Sequence, residues 1–255
     1  MTALRTIHIN ELRGIRAPLA DGVFALAAVC RFSTRDSGML EGRVAPVLAD
    51  GERARFGSLR NPGARAQYLA SRLLVKTICG VLDGLPATSI ETAHAPDGSF
   101  AVNGTRVRYR ASIAHTPGAA ALLLSASVPV GIDIERLRKA PLAVARKYFS
   151  EDEYRTVEGA PDPSAAFFRL WTRKESLAKL EGVGVLESMR RYKFPIDGGP
   201  VSNGGRGGGA AGSFRFESLE LERHVLGIAL GDPDAGVVLV RSVRCGDLLR
   251  LAGLS

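Results

Sequence analysis

The chain has 255 residues, a formal net charge of +8 and a hydrophobic fraction of 45%, enough to bury one large core or two smaller ones. No apolar run reaches the eighteen residues of a membrane span, and the first residues lack the apolar core of a signal peptide, so we expect a cytoplasmic protein. The basic balance predicts an anionic partner, whether nucleic acid, a phosphate-bearing metabolite or an acidic protein.

The first half of the chain predicts a strand, a helix and further strands. Residues 22–32 form an apolar run with β-formers at alternate positions, which is typical of a buried strand. Residues 64–82 carry apolar side chains at helical spacing and predict a helix that ends near Gly80 or Gly84. Residues 120–135 predict two strands, or one strand interrupted at Pro129.

The second half follows the same order. A strand at 130–134 and a helix at 165–180 precede three β-rich runs that are separated by turn residues. Each half therefore offers one main helix with short strands. We predict an α+β fold of two pseudo-symmetry-related subdomains, residues 1–126 and 127–255, each with a small, mainly antiparallel sheet packed on its main helix.

Two further features lie outside this plan. The Gly-rich residues 198–213 cannot bury enough side chain to offset the cost of ordering, so we expect a mobile surface loop. A phosphate-cradling role is disfavoured there, since neither a Gly-Lys-Ser/Thr ending nor a helix pattern follows. The scattered Cys30, Cys79 and Cys245 show no metal or redox spacing and are expected to be buried free thiols.

Two carboxylates stand one residue apart at the end of the 130–134 strand. Strand alternation places Asp133 and Glu135 on one face, while Ile132 and Ile134 point to the core. Neighbouring carboxylates repel each other, so they require either a solvated strand end or a shared cation such as Mg²⁺. The strand alone does not decide between these two interpretations.

The second main helix carries a further group of charged residues. Trp171, Glu175 and Lys179 fall at four-residue intervals and line one face, and Lys174 directly precedes Glu175. Glu175 and Lys179 suit an ordinary surface ion pair, but a tryptophan on the same face indicates partial burial, where charges are costly unless they hold something. Together with the strand carboxylates they outline a phosphoryl-transfer site.

His115 ends a short β-like run in the segment "ASIAHTPG". A histidine at a strand end beside a turn suits three roles: phosphate binding, a capped structural residue, or a general base. The residue pattern alone favours the structural role.

Four segments, in this order, resemble the Sfp-type 4′-phosphopantetheinyl transferases. They are "IAHT", "GIDIE", "YFSEDEYRTV" and "WTRKESLAKLEGVGV". The resemblance extends from about residue 56 to residue 185, and the last motif is the longest and most specific. It implies a transferase that moves the phosphopantetheine arm of coenzyme A onto a serine of an apo acyl or peptidyl carrier protein, with release of adenosine 3′,5′-bisphosphate.

The resemblance also implies roles for residues of the second subdomain. Asp133, Glu135 and Glu175 match the family's magnesium ligands, which bridge to the pyrophosphate of coenzyme A. Glu175 would accept the serine proton, directly or through water. Lys179 would neutralise the pyrophosphate and assist the leaving group.

The first subdomain would contact the nucleotide of coenzyme A. His115 matches the family histidine that contacts the 3′-phosphate, and Arg65 and Arg72 resemble basic helix residues that bind nucleotide phosphates. Guanidinium groups suit such oxyanions well. For Arg72, a helix-surface charge is the alternative.

Two positions depart from the family pattern. Ala114 stands where the family has serine before the histidine, and the segment around Ser99 lacks the family's lysine. Nearby arginines offer a replacement cation, namely Arg106, Arg108 or Arg110. These departures leave a degenerate homologue, which binds coenzyme A or a carrier protein without turnover, as the alternative function.

The implied partner is an acidic carrier protein, which a basic transferase would attract. The Arg- and Lys-rich residues 136–154 are the expected docking region. We expect a monomer that uses neither nucleic acid nor a membrane as a partner.

Overall fold

The computed structural model describes residues 4–15, 24–94, 99–194, 202–203 and 214–254. The chain forms two compact units. Unit 1 comprises Met1–Val128 and Asp234–Ser255, and unit 2 comprises Pro129–Pro233. None of the described helices combines the length and apolar character that a membrane span requires.

The described residues contain twelve strands and eight α-helices. The strands are β1 Arg5–Ile7, β2 Phe24–Arg31, β3 Glu91–His94, β4 Phe100–Asn103, β5 Arg110–Thr116, β6 Ala119–Ser125, β7 Val130–Arg136, β8 Tyr192–Lys193, β9 Ser202–Asn203, β10 Arg215–Leu221, β11 His224–Leu230 and β12 Gly236–Arg244. The helices are α1 Ser37–Val44, α2 Asp50–Ser58, α3 Pro62–Asp83, α4 Leu142–Tyr148, α5 Glu151–Glu158, α6 Pro163–Glu181, α7 Val185–Arg191 and α8 Cys245–Ala252.

Unit 1 contains a five-stranded sheet in the order β1-β12-β2-β6-β5. The pairs β1–β12 and β12–β2 are parallel, and β2–β6 and β6–β5 are antiparallel. Strand β12 and helix α8 therefore belong to unit 1, whereas the sequence placed them in the second subdomain. The third β-rich run was identified as a strand, but its pairing partner lies more than two hundred residues earlier, beyond the reach of a local pattern.

Helix α3 is the main helix of unit 1. The Asn61 side chain accepts a hydrogen bond from the Ala64 N–H (3.1 Å), Pro62 occupies the first turn, and Gly84 ends the helix with φ of 64°. These residues favour the start and the end of a helix. The first turn tolerates proline, because an N–H group there would have no partner within the helix, and glycine readily adopts the left-handed conformation. The predicted helix over 64–82 and its end at Gly84 agree with these bounds.

A buried ion pair anchors α3 within unit 1. The Lys76 ammonium lies 2.9 Å from Glu52 Oε2, both side chains are 1% exposed, and Lys76 also donates to the Ile90 carbonyl. Glu52 in turn accepts from the Ala49 N–H at the start of α2 and from the Thr92 N–H and hydroxyl in β3. The network joins two helices and a strand.

Unit 2 contains an antiparallel sheet in the order β10-β11-β7, covered by α6. Asp162 caps α6 by accepting from the Ser164 and Ala165 N–H groups, and Gly182 ends it with φ of 68°. Aromatic side chains dominate the core of unit 2. Those of its buried cluster are Phe149, Phe167, Phe168, Tyr192 and Phe194.

The segment after α6 begins with the short helix α7, which starts at Val185. Most of the predicted mobile loop at 198–213 lies outside the described residues. Its residues Ser202–Asn203 form the two-residue strand β9, which pairs with β8.

The cysteine prediction is confirmed for all three residues. Cys30, Cys79 and Cys245 are buried and free. Burial raises the pKa of the Cys79 thiol, and a hydrogen bond with Cys245 followed by burial raises that of Cys30. Thiols in this environment are poor nucleophiles.

Candidate active site

The carboxylate strand β7 turns Asp133 toward helix α6. Asp133 shares a strand face with Gly131, and that face packs directly against the α6 backbone. The sequence predicted that Ile132 and Ile134 would point to the core, and both are buried. It did not predict burial on the opposite face, where Asp133 is only 8% exposed.

Lys179 reaches back from α6 to the strand. Its ammonium donates to Asp133 Oδ1 at 2.8 Å and to the Ile132 carbonyl at 3.1 Å. The Lys179 side chain is one-third exposed, so its charge is also accessible from solvent. Asp133 Oδ2 is buried and has no hydrogen-bond partner among the described residues. A buried carboxylate oxygen without a partner is costly and indicates a position for a ligand.

Glu175 lies one helical turn before Lys179 and is only partly exposed. Its pKa is raised to about 7, chiefly by burial and then by the negative charge of Asp133, with a smaller contribution from Glu135, while Lys179 opposes these effects. The three predicted metal-binding carboxylates therefore share one electrostatic environment. A carboxyl group whose pKa lies near neutrality suits a general base.

Glu135 sits at the more exposed end of the strand. Its Oε2 accepts from Arg138 at 2.9 Å. Within the part of the chain that the structure describes, no three His, Cys, Asp or Glu side chains are arranged to hold a metal ion. In this structure Lys179 holds one oxygen of Asp133, and Arg138 holds one oxygen of Glu135.

Lys174, the first charged residue of the helix motif, points away from solvent. Its ammonium is 2.9 Å from Glu153 Oε1 and donates to the Tyr192 carbonyl at 3.1 Å; the side chains are 0% and 4% exposed. Burial lowers the pKa of Lys174, and Glu153 counteracts this effect. Glu153 also accepts from the N–H groups of Phe194 and Ser150. The pairing of Lys174 with Glu153 was not predicted; the one local signal near it is the Ser-x-x-Glu capping box that begins at Ser150.

Trp171 is partly buried, as its place on the charged face predicted. Its ring stacks on Phe167 at 5.6 Å between centroids and lies 6.4 Å from the Phe149 ring. These ring contacts anchor the first residue of the helix motif in the core of unit 2. The charged residues Glu175 and Lys179 follow in the next two turns of the helix.

The predicted nucleotide-binding residues all lie in unit 1. Arg65 is held by Glu41, lies 3.9 Å above the Phe56 ring and donates to the Leu59 carbonyl. This set of contacts gives Arg65 a structural role in joining α1 and α3.

Arg72 is 7% exposed, with its guanidinium 4.3 Å from the Tyr68 ring and 5.4 Å from the Phe100 ring. The predicted alternative of a helix-surface charge is therefore wrong. Its Nε is buried without a hydrogen-bond partner in the described part of the chain. A buried guanidinium with an unused donor is suited to an anion.

His115 is the penultimate residue of strand β5, close to the predicted strand end, and its side chain is exposed. Nδ1 lies 3.0 Å from Oε1 of Gln67 on α3. The neighbouring Ala114 is buried. Gln67 was not identified from the sequence, because a lone glutamine on a helix carries no motif; the contact arises from the packing of α3 beside β5.

Comparison with known families gives a match within unit 2. Residues 129–229 match the family model described as the 4′-phosphopantetheinyl transferase superfamily. This region is therefore similar to that superfamily. The resemblance inferred from the motifs is confirmed, and the α+β architecture is consistent with the transferase fold.

Curated proteins that are similar to this chain are named 4′-phosphopantetheinyl transferases. The chain is 46% identical over 66 residues to the 4′-phosphopantetheinyl transferase psf-1 of Bacillus pumilus, which is 25% of this chain and 28% of psf-1. It is 35% identical over 123 residues to the 4′-phosphopantetheinyl transferase AcpT of Salmonella typhi, 46% of this chain and 59% of AcpT. A putative 4′-phosphopantetheinyl transferase of Synechocystis, slr0495, is 24% identical over 62% of this chain and 70% of its own length. The chain spans about a quarter of the length of psf-1 and less than two thirds of that of AcpT.

The resemblance stated above implies a magnesium ion, and the chemistry of the carboxylate oxygens in unit 2 is compatible with one. Carboxylate oxygens are the ligands that Mg²⁺ prefers, and Asp133 Oδ2 is a buried oxygen that lacks a partner. Burial is the main cause of the raised pKa of Glu175, and the negative charges of Asp133 and Glu135 add to it; a cation would offset those charges.

Proposed function

We propose that the chain transfers the 4′-phosphopantetheine group of coenzyme A to a serine of an apo acyl or peptidyl carrier protein. The observation that carries this proposal is the convergence of Asp133, Glu135, Glu175 and Lys179 in one electrostatic environment, within the region that matches the transferase superfamily. Asp133, Glu135 and Glu175 would hold Mg²⁺, which when bound neutralises negative charge on the pyrophosphate.

In the proposed reaction the serine hydroxyl oxygen forms a bond to the phosphorus that bears the pantetheine arm. The bond from this phosphorus to the bridging pyrophosphate oxygen breaks, and adenosine 3′,5′-bisphosphate leaves with the electron pair. Glu175 accepts the serine proton, directly or through water.

Lys179 stabilises the leaving group in this proposal. Asp133 and the Ile132 carbonyl fix the ammonium position before substrate binds, so little reorganisation is needed as charge develops on the departing phosphate. Positioning and charge stabilisation are the main requirements of phosphoryl transfer, which explains a site without a protein nucleophile.

Residues of unit 1 would bind the nucleotide part of coenzyme A. Arg72 is the stronger arginine candidate, since its Nε is unused, whereas Arg65 is engaged by Glu41 and backbone carbonyls. His115, held by Gln67, would contact the 3′-phosphate. The exposed Arg106, Arg108 and Arg110 stay candidates for the cation that the segment around Ser99 lacks.

The proposed partner is an acidic carrier protein, attracted by the net charge of +8. Its proposed docking region is residues 136–154, in which Arg136, Arg138 and Lys139 are exposed. A monomer in the cytoplasm remains our expectation.

Intact-mass spectrometry tests the reaction. An apo carrier protein is incubated with coenzyme A, magnesium and either the wild-type chain or Glu175→Gln, which keeps the shape of the side chain. We expect the wild type to add the mass of one phosphopantetheine group, and the variant to react about 100-fold to 10,000-fold more slowly. Absence of a mass increase across fatty-acid, polyketide and peptide carriers would contradict the proposal. Coenzyme A binding without that increase would favour the degenerate homologue, to which Ala114 and Ser99 point.

A further inference from the structure

Two glycines lie directly beneath the backbone of helix α6. A Cβ atom at Gly131 on β7 would collide with the Ser176 carbonyl oxygen and lie 2.7 Å from the Leu180 nitrogen. A Cβ atom at Gly227 on β11 would lie 2.5 Å from the Thr172 carbonyl carbon and oxygen. No side chain fits at either position while the helix stays in place. We call Gly131 and Gly227 the glycine seat.

The helix residues above the seat follow a single line. Thr172, Ser176 and Leu180 are spaced by four residues, so their backbone groups lie along one face of α6. The charged residues Glu175 and Lys179 each directly precede one of them. The contact between this face of α6 and the sheet therefore fixes the distance of the helix from the sheet and its rotation about its own axis. Both determine where the side chains of Glu175 and Lys179 lie.

The two glycines of the seat are neighbours of the buried Asp133 in the sheet. Gly227 is the cross-strand partner of Asp133, and Gly131 lies two residues before Asp133 on the same face. Asp133 thus leaves the sheet between two positions that have no side chain. This close approach lets the Lys179 ammonium reach both Asp133 Oδ1 (2.8 Å) and the Ile132 carbonyl (3.1 Å).

We propose that Gly131 and Gly227 are positioning residues for the candidate active site, because they set the separation of Asp133 from Glu175 and Lys179. The inference rests on the proposed function. A methyl group at either position forces α6 away from the sheet. Since a displacement of about 1 Å in a catalytic arrangement can cost about 100-fold in rate, the seat would control how well the carboxylates act together.

The first test measures Mn²⁺ binding by electron paramagnetic resonance, with coenzyme A present. The variants are Gly131→Ala and Gly227→Ala. The matched control is Gly80→Ala in unit 1, where a Cβ atom would lie 2.8 Å from the Leu85 carbonyl oxygen. We expect Gly131→Ala to weaken Mn²⁺ binding about tenfold or more, Gly227→Ala to weaken it less, and Gly80→Ala to bind like the wild type.

The second test does not depend on a metal. Crystal structures of the wild type and Gly131→Ala give the distance from the Lys179 ammonium to Asp133 Oδ1, which we expect to exceed hydrogen-bonding range in the variant. An unchanged 2.8 Å separation would overturn the role of the seat, as would wild-type Mn²⁺ affinity in both glycine variants. A wild-type chain that binds no Mn²⁺ would instead contradict the proposed function, and the crystallographic distance alone would then decide the inference.

Discussion

The two main helices, α3 in unit 1 and α6 in unit 2, are anchored in the same way. Each carries a buried lysine eight residues before its C-terminal glycine, Lys76 before Gly84 and Lys174 before Gly182. Each lysine pairs at 2.9 Å with a glutamate at the third position of a preceding short helix.

The partners of these glutamates correspond as well. Glu52 binds the N–H two residues after the carbonyl that Lys76 uses, and Glu153 does the same for Lys174. This likeness supports the predicted relation between the two halves, which otherwise stays a prediction.

The units differ at the position after the lysine. In α3 it is Thr77, buried and directed at the Leu248 carbonyl of the C-terminal helix. In α6 it is Glu175, whose pKa is raised to about 7 chiefly by burial and then by the charge of Asp133. One anchored helix therefore uses this position for packing, and the other places there the carboxyl group of the proposed reaction. The comparison indicates that a buried scaffold lysine and a glutamate with a different proposed role can be adjacent in one motif.

The largest expected effect concerns the buried pairs that the units share. Glu153→Ala leaves the Lys174 charge buried without its carboxylate, and Glu52→Ala does the same to Lys76. We expect each variant to lose about 3 to 5 kcal/mol of unfolding free energy, because an uncompensated buried charge is costly. Urea unfolding measures both losses. The double variant Lys174→Met with Glu153→Leu should restore most of the stability. A small loss of unfolding free energy for either single variant would contradict the claim that both helices are anchored in the same way.

The second-largest expected effect is a pH dependence of the unfolding free energy that arises from Glu175 in unit 2. The pKa of Glu175 is raised from an ordinary 4.5 to about 7, so the folded protein holds this proton more tightly than the unfolded chain does. Its contribution is then complete below about pH 4.5 and is lost as the pH rises through 7. This amounts to at most about 3 kcal/mol.

Glu175→Gln removes this dependence. With a chelator present, the variant should match the wild type in unfolding free energy near pH 4.5 and exceed it near pH 8. Thr77→Val in unit 1 serves as the control, since the position is not ionisable. An equal difference between wild type and Glu175→Gln at both pH values would contradict the electrostatic account of the site.

The smallest effect concerns the caps of the two short helices. The Ser150 hydroxyl accepts from the Glu153 N–H at 3.3 Å in unit 2, whereas the corresponding residue in unit 1 is Ala49. Ser150→Ala should therefore cost about 1 kcal/mol, and Ala49→Ser should gain about 0.5 kcal/mol. Thermal unfolding of both variants measures the pair. Opposite signs are expected, and equal signs would show that the two short helices are not equivalent.

The sequence predicted the local elements of the fold better than their assembly. The bounds of α3 and α6 follow from apolar spacing and from the glycines that end them, which are local signals. Strand β12 belongs to unit 1 because it pairs with β2, and the residues near β12 in the sequence do not predict this pairing.

The candidate site shows the same limit. Motifs identified Asp133, Glu135, Glu175 and Lys179, because their residue types and spacing carry chemical meaning. They did not reveal that Lys179 pairs with Asp133 or that Lys174 is a scaffold residue, since both depend on the approach of separate elements.

The most direct test of the account is the rate of transfer from coenzyme A to an apo carrier protein for Asp133→Asn beside Thr77→Val. Asparagine keeps the shape of Asp133 but removes the charge that Lys179 and the proposed magnesium ion require. We predict a loss of about 100-fold or more for Asp133→Asn with its melting temperature preserved, and a wild-type rate for Thr77→Val. A wild-type rate for Asp133→Asn would contradict the claim that unit 2 carries the chemistry.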